Sequence, residues 1–242
     1  MTFIQSLILG LIQSITEFLP ISSSGHLNLT QYFFNLTPSL SFDIFLNTAT
    51  FFSVLFFFRK QLKYFFSNFK YIIVGSIPAG LVGVLFKDKI ELLFSQANYL
   101  PFFFLITAIL VFSTKFIKQK NKSLNYLMAL TIGFAQSLAI LPGVSRSGAT
   151  IFMGLLLGLS SVEAFNFSFC LFIPASFGAL ILGLKDTSLV SMITPSYLLV
   201  FLVTFIVGVF ALNFLKKVLV HHKFWLFGIY TFILSLGLLF IL

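Results

Sequence analysis

The sequence predicts an all-α protein that crosses a membrane several times. Of its 242 residues, 59% are hydrophobic and only 9% are charged, whereas charged residues make up about 25% of an average soluble domain. Several stretches without Asp, Glu, Lys or Arg reach the roughly 20 residues that a spanning helix needs. These charge-free stretches are 44–58, 71–86, 92–114, 123–145, 164–184, 187–215 and 224–242. We therefore expect residues 1–242 to form a single integral membrane domain.

A repeated polar motif divides the chain into two halves. "GLIQSITEFLPISSSGH" begins at Gly10 and "GFAQSLAILPGVSRSGAT" begins at Gly133. Both read G-x-x-Q-S, then L-P, then S-x-S-G, and in each the second glycine follows the first by 15 residues. We call residues 17–27 the first polar segment and residues 141–150 the second polar segment. The match predicts two internal repeats, residues 1–120 and 124–242.

Each repeat is predicted to contain five helices. They are 1–19, 25–36, 42–58, 71–86 and 100–116 in the first repeat, and 124–141, 149–159, 164–184, 197–216 and 224–242 in the second. Pro20 and Pro142 end the first helix of each repeat, because the residue before a proline avoids helical geometry. The second helix is too short to cross about 30 Å of hydrocarbon. The first two helices of each repeat should therefore form a re-entrant hairpin, which is tolerated only when it is buried in protein or lines a cavity.

The basic residues predict how the chain is oriented. Loops 59–70, 115–122 and 216–223 hold 11 of the Lys and Arg residues. Three spanning helices per repeat place these loops on one face, which is then cytoplasmic. The other face keeps Lys87, Lys89 and Lys185, beside Asp88, Glu91 and Asp186. Three crossings also invert the second repeat, so that the two hairpins enter from opposite sides and the two polar segments can meet, as in inverted-repeat transporters.

Several classes of protein are disfavoured by the same residues. The net charge of +9 does not indicate nucleic-acid binding, because the basic residues lie in short loops between apolar stretches. Cys170 is the single cysteine, so that no intrachain disulfide or thiolate metal site is possible, and we expect it in the core. The N-terminus lacks a basic region and a small-residue cleavage site, and a cleaved signal peptide is not expected.

The two polar segments together predict a phosphate site. Each leads into the N-terminus of a helix, where free N–H groups and the helix dipole favour an anion. Serine hydroxyls add donors, and Arg146 adds a bidentate cation. The predicted phosphate-binding residues are Ser22, Ser24, Gly25, Ser145, Arg146, Ser147, Gly148 and Thr150. Serines at these positions also suit simple helix capping, and that alternative stays open.

Glu17 is the exception in this site, because a carboxylate repels phosphate unless it binds a metal or acts as a base. Mg²⁺ typically uses one or two carboxylates together with phosphate oxygens. Glu17 fits that role, with Gln13 four residues earlier on the same helix face. Each repeat contributes different ionisable residues. Glu17 and His26 of the first repeat match apolar residues of the second, while Arg146 of the second repeat matches Ser23 of the first. A Glu17–Arg146 pair that only joins helices is the structural alternative.

These motifs resemble a known family. "ITEFLPISSSGHL" together with "ILPGVSRSGATI" resembles the undecaprenyl-diphosphate phosphatases, the bacterial bacitracin-resistance proteins, and the segments 42–60, 76–91 and 165–175 extend the resemblance along nearly the whole chain. The resemblance implies a multi-pass enzyme of the bacterial plasma membrane whose active site opens to the outer face and depends on divalent cations. It would convert undecaprenyl diphosphate into the monophosphate carrier used in peptidoglycan synthesis, and so confer bacitracin resistance.

The family motifs fall on particular residues of this chain. The acidic motif falls on Gln13 and Glu17, the serine and histidine on Ser23 and His26, and P-G-x-S-R-S-x-x-T on residues 142–150. The chain departs from many members in three places, with Asn47 in place of histidine, Ala49 in place of glycine and Thr231 in place of arginine. These departures concern packing near the third helix and a loop contact rather than the reaction.

We therefore hypothesise a phosphohydrolase that acts on a polyprenyl diphosphate. Arg146 and the two helix N-termini hold the terminal phosphate, while Glu17 with Gln13 positions Mg²⁺ or Ca²⁺. The nucleophile is Ser23, His26 or a metal-activated water, and His26 or Glu17 would serve Ser23 as base. A lipid-phosphate flippase or transporter is the alternative, and a non-catalytic membrane scaffold is a third. The sequence also leaves a homodimer open.

Overall fold

The computed structural model of the chain describes residues 1–37, 39–86, 92–93, 96–118, 120–183 and 194–242. Every regular element within these ranges is a helix, which confirms the all-α prediction. The helices are α1 (Phe3–Thr16), α2 (Ser23–Phe33), α3 (Leu40–Phe58), α4 (Leu62–Ser67), α5 (Phe69–Leu85), α6 (Leu100–Ser113), α7 (Tyr126–Leu138), α8 (Arg146–Leu157), α9 (Ser161–Gly183), α10 (Pro195–Val220) and α11 (Leu226–Leu238). Single 3-10 turns flank α6, at Ala97–Tyr99 and Thr114–Phe116.

Each of the ten predicted helices corresponds to an observed one, and each begins within three residues of its predicted start. Helix α2 begins at Ser23 and α8 at Arg146, two and three residues before the predicted starts. The serine in front of each helix, Ser22 or Ser145, accepts a backbone N–H from the first turn and so acts as the N-cap. The predicted loop 59–70 also contains the short helix α4.

The lengths of the helices establish a multi-pass membrane protein. Within the described part of the chain, four helical segments are long and apolar enough to cross a bilayer, namely Ser41–Phe58, Ala97–Phe116, Ser161–Ile181 and Pro195–Val220. Helices α5 and α11 are apolar but shorter, so the predicted set of six crossings stays a prediction. The charged residues assigned to the outer face, Lys87, Asp88, Lys89, Glu91, Lys185 and Asp186, lie outside the described residues.

Two glycines bring pairs of helices into close contact. A Cβ atom on Gly133 of α7 would lie 2.2 Å from the carbonyl oxygen of Gly75, so α5 and α7 touch through their backbones. Gly10 begins the same motif in α1, and a Cβ there would lie 2.5 Å from Oγ1 of Thr204 in α10. The two glycines that begin the repeated motif thus occupy matching contacts, each between the first predicted helix of one half and the fourth predicted helix of the other. The internal repeat itself stays a prediction.

The main core lies around α3, α8 and α9 and is rich in aromatic side chains. Phe18, which follows α1, packs on two phenylalanines of α9, with centroid distances of 5.8 Å to Phe169 and 6.4 Å to Phe172. Cys170 is buried in the same cluster, with 1% of its surface exposed, which confirms its prediction as a core residue. Phe169 and Phe172 place this core directly behind the second polar segment, where they face Arg146.

Candidate active site

The two polar segments are far apart in sequence but lie in direct contact. A Cβ atom on Gly25 would lie 3.0 Å from Cα of Gly143 and 2.5 Å from the ring of Phe104, so only glycine fits at this position. The hydroxyl of Ser147 donates a hydrogen bond to the carbonyl oxygen of Leu19 at 3.4 Å. These contacts bring the beginnings of α2 and α8 side by side.

Glu17 joins the two segments, because three side chains donate hydrogen bonds to its carboxylate. Ser23 Oγ donates to Oε2 at 2.5 Å and Gln13 Nε2 donates to the same oxygen at 3.1 Å. Arg146 Nη2 donates to Oε1 at 2.8 Å across the interface between the segments. We call these four residues the Glu17 cluster. The Glu17 side chain is only 9% exposed, and a carboxylate buried to that extent requires such partners.

The Arg146 guanidinium is held in place but keeps one arm without a partner. Its carbon lies 4.1 Å from the ring centroid of Phe172, a cation–π contact. Nη2 binds Glu17, whereas Nη1 is buried and has no hydrogen-bond partner among the described residues. A buried donor without a partner costs about 1–3 kcal/mol. Arg146 therefore presents an unpaired N–H arm beside Glu17, suited to an anionic ligand.

The N-termini of α2 and α8 are capped in the same way. Ser22 Oγ accepts the N–H of Gly25 at 3.3 Å, and Ser145 Oγ accepts the N–H of Gly148 at 3.1 Å. Ser24 Oγ lies 3.3 Å from Ser22 Oγ. Ser22 has a φ of 70°, a costly backbone conformation for a serine that is typical of functional sites. The beginnings of α2 and α8, where first-turn N–H groups and the helix dipole favour an anion, thus lie side by side.

Helix α6 supports the second polar segment from the side. The hydroxyl of Thr107 accepts a hydrogen bond from the backbone N–H of Ser145 at 2.9 Å and donates one to the carbonyl oxygen of Gly143 at 2.8 Å. Gly143 has a φ of 99°, a left-handed conformation that favours glycine. Thr107 thus fixes the turn that leads into α8, and with it the backbone position of Arg146.

His26 lies outside the Glu17 cluster. Its Nδ1 lies 2.7 Å from the carbonyl oxygen of Ser22, which can only accept, so Nδ1 carries the proton. Its Nε2 lies 2.8 Å from the phenol oxygen of Tyr230 in α11. Both ring nitrogens are thus engaged with groups other than Ser23 and Glu17.

Thr150 also lies away from the cluster. Its hydroxyl donates to the carbonyl oxygen of Arg146 at 2.8 Å and lies 2.6 Å from the hydroxyl of Ser168 in α9. Of the residues predicted from sequence, the structure brings Gln13, Glu17, Ser23 and Arg146 into one hydrogen-bonded group. The other predicted serines and glycines belong to the same two polar segments but make no side-chain hydrogen bond to that group within the described part of the chain, while Thr150 supports the beginning of α8 from the side of α9.

A comparison with known families agrees with these motifs. The sequence profile of the family described as bacitracin resistance protein BacA matches residues 6–237, which include both polar segments. The chain belongs to this family. An undecaprenyl-diphosphatase of Methanococcus vannielii is 36% identical over 251 residues, which cover 98% of this chain and 99% of the relative. Proteins of the same name from Thermosipho africanus and Thermosipho melanesiensis are 39% and 40% identical, over 95% of this chain and 96% of each relative.

The cation predicted for this BacA-family chain is compatible with the donor set. Glu17 supplies a carboxylate, and Oε1 of Gln13 is buried and accepts no hydrogen bond from the described residues. Oxygen donors of this kind suit Mg²⁺ and Ca²⁺. No group of three or more His, Cys, Asp or Glu residues in the described ranges could hold a metal by itself. The residues therefore fit a cation that is shared with the phosphates of a ligand, as is usual for Mg²⁺.

Sequence reasoning missed four residues that support the site. They are Thr107, Ser168, Phe172 and Tyr230, all within helices that were predicted only as spanning segments. Helices that are apolar on every side carry no periodic pattern to show which face is turned to the site. A threonine, a serine and a tyrosine within apolar stretches were the only available signal.

Proposed function

We propose that this chain hydrolyses undecaprenyl diphosphate to undecaprenyl phosphate and inorganic phosphate. Membership in the BacA family and the name shared by its relatives support the reaction and the substrate. The observation that carries the proposal is the buried Glu17–Arg146 pair, 2.8 Å apart, between the beginnings of α2 and α8. That arrangement combines an anion site with a potential base, as the hydrolysis of a phosphoric anhydride requires.

In this proposal the terminal phosphate binds between the two helix N-termini. The first-turn N–H groups of α2 and α8 and the unpaired Nη1 of Arg146 provide donors for its oxygens. The same donors are fixed before the substrate binds, because Thr107 and the serine caps hold the turns in place. Preorganised donors of this kind stabilise the charge of the transition state.

The geometry favours Ser23 as the nucleophile. Its hydroxyl donates to Glu17 at 2.5 Å, so the carboxylate is placed to take the proton as Oγ attacks the terminal phosphorus. The bond from phosphorus to Oγ forms while the bond to the bridging oxygen breaks, and undecaprenyl phosphate departs with the proton from Glu17. Water then attacks the phosphoserine as Glu17 takes its proton, the bond from phosphorus to Oγ breaks, and Glu17 returns the proton to Oγ, which releases inorganic phosphate and free Ser23.

Two other nucleophiles remain as alternatives. A water molecule activated at Glu17 would replace Ser23 directly, without a covalent intermediate. His26 would have to release Tyr230 before its Nε2 could attack, since Nδ1 is engaged by Ser22. Rapid quenching with radiolabelled substrate separates the three cases, because phosphoserine survives acid, phosphohistidine does not, and a direct attack by water leaves the protein unlabelled.

We also propose that Glu17 and Gln13 hold Mg²⁺ or Ca²⁺ together with the substrate. A divalent cation, when bound, neutralises part of the charge on the diphosphate. Gln13 contributes the amide oxygen that has no donor among the described residues, and its amide nitrogen orients Glu17 from 3.1 Å. Arg146 supplies the remaining positive charge from the second polar segment.

The cellular setting is proposed on the same basis. We place the protein in the bacterial plasma membrane, with inverted repeats and with the polar segments accessible from the outer face. The product would re-enter the lipid-carrier cycle of peptidoglycan synthesis, and the activity would confer bacitracin resistance. The basic loops support this orientation through the positive-inside rule. A homodimer stays a prediction.

Phosphate release tests the proposed function. The purified protein in detergent should release inorganic phosphate from undecaprenyl diphosphate with Mg²⁺ or Ca²⁺, and chelation with EDTA should abolish the release. Absence of release under both metals would refute the enzyme. Movement of undecaprenyl phosphate across vesicle membranes without hydrolysis would instead establish the transporter alternative, to which no specific contact in the described residues gives support.

A further inference from the structure

Tyr230 makes a contact that the proposed reaction does not use. It lies in α11, far along the chain from the polar segments, yet its phenol oxygen is 2.8 Å from Nε2 of His26. The two rings are stacked, with centroids 5.8 Å apart and an angle of 13° between their planes. Tyr230 itself is not enclosed by protein, because 46% of the residue is exposed. A hydrogen bond from a half-exposed tyrosine to a histidine of the first polar segment requires an explanation.

The hydrogen bonds around His26 define its protonation and orientation. Because the Ser22 carbonyl accepts from Nδ1 at 2.7 Å, the neutral imidazole has its lone pair on Nε2. The Tyr230 phenol is then the donor to that lone pair. Phe104 meets the imidazole edge-on, with centroids 5.3 Å apart at 86°. His26 is therefore fixed by three different neighbours.

We propose that Tyr230 is a positioning residue for the site. Its O–H holds the imidazole of His26 in one tautomer, with the proton on Nδ1 and the Nε2 lone pair directed at Tyr230 of α11. The fixed imidazole in turn holds the carbonyl of Ser22 through Nδ1, and with it the beginning of α2 that carries Ser23. The importance of this contact for catalysis rests on the proposed function, whereas the contact itself does not.

A parallel contact on the other polar segment supports this role. Thr107 of α6, in the first half, holds Ser145 at the second polar segment, while Tyr230 of α11, in the second half, holds His26 at the first. Helices α6 and α11 pack against each other closely, since a Cβ on Gly228 would lie 2.5 Å from the backbone nitrogen of Phe112. The last helix of each half thus fixes the polar segment of the other.

The variant Tyr230→Phe tests the proposal, because it keeps the ring and removes only the donor. The loss of one net hydrogen bond should lower kcat about three- to ten-fold, with KM unchanged. Nε2 of His26 should also become more reactive, so carbethoxylation by diethyl pyrocarbonate, followed by mass spectrometry, should be faster at His26. The exposed His221 provides an internal reference within the same sample. Tyr32→Phe, at an exposed tyrosine of α2, is the matched control and should change neither quantity.

Three outcomes decide whether Tyr230 acts as a positioning residue through His26. Wild-type kcat and a wild-type rate of His26 modification in Tyr230→Phe would overturn the proposal. A lower kcat with an unchanged rate of modification would also overturn it, since the effect would then not pass through His26. The buried Cys170 should stay unreactive to a maleimide in the folded variant, which separates positioning from misfolding. If the wild type releases no phosphate, the proposed function fails, while the modification rates still test the Tyr230–His26 contact.

Discussion

The substitution Gly133→Ala tests the packing that places the second polar segment. Gly133 lies in α7, eight residues before that segment, and faces Gly75 of α5. An added Cβ would lie 2.2 Å from the carbonyl oxygen of Gly75, and the shortest ordinary Cβ contacts are 3.4 Å. The helices would have to separate by about 1.2 Å (3.4 minus 2.2). Since the clash is with backbone, no side chain can rotate away to relieve it.

The expected cost follows from this displacement. Overpacking a well-packed contact costs about 1–3 kcal/mol, and a backbone clash belongs at the upper end. Alanine recovers about 1 kcal/mol of helix propensity relative to glycine, so the net destabilisation should be about 2 kcal/mol. For a chain of this size that corresponds to a Tm lower by about 4–8 °C. A shift of about 1 Å at the site should also lower kcat by up to about 100-fold.

Thermal unfolding in detergent, followed by Trp225 fluorescence, measures the change in Tm, and phosphate release measures the change in kcat. Gly80→Ala is the matched control on α5, because a Cβ there meets nothing within 4 Å. It should raise stability by about 0.5–1 kcal/mol and leave kcat unchanged. A wild-type Tm and a wild-type kcat in Gly133→Ala would refute the close contact of α5 with α7.

Three further substitutions test the site itself. Thr107→Val keeps the shape but leaves the N–H of Ser145 without its acceptor, and should cost about 1–3 kcal/mol in thermal unfolding; an unchanged Tm would argue against that contact. Arg146→Lys keeps the charge but loses the two-armed fork, and steady-state assays should give a kcat lower by about 100-fold or more; a kcat near wild type would show that the second arm is unnecessary. Ser23→Ala should abolish acid-stable labelling and turnover, whereas Ser67→Ala, at an exposed serine of α4, should retain both; equal activity of the two variants would exclude Ser23 as the nucleophile.

The predictions that succeeded rest on strong local signals. Charge-free stretches of helical length located the helices. Pro20 and Pro142 follow the first helix of each predicted repeat, although these helices end at Thr16 and Leu138, three residues before the predicted ends. The duplicated motif made contact between the two segments plausible, and the 2.8 Å Glu17–Arg146 pair lies at that contact. Buried charges in an apolar chain require partners, so few pairings were available.

The features that the sequence did not predict depend on tertiary contacts. The family motif placed Ser23 and His26 together, but their side chains diverge, because the imidazole is engaged by Ser22 and Tyr230. Tyr230 and Thr107 lie in apolar helices whose orientation is set by glycine contacts such as Gly228 against Phe112. Such contacts join residues more than a hundred positions apart or depend on the absence of a side chain, and neither leaves a pattern in a single sequence.

The central claim is that Glu17 and Arg146, from different polar segments, form one catalytic unit. A double-mutant cycle of phosphate release from undecaprenyl diphosphate tests it most directly, with Tm measured for every variant. Glu17→Gln and Arg146→Ala should each lower kcat by about 100- to 1,000-fold, and the double variant should be about as slow as the slower single variant, because the residues act together. Full release by either single variant, or effects that multiply in the double variant, would contradict the account.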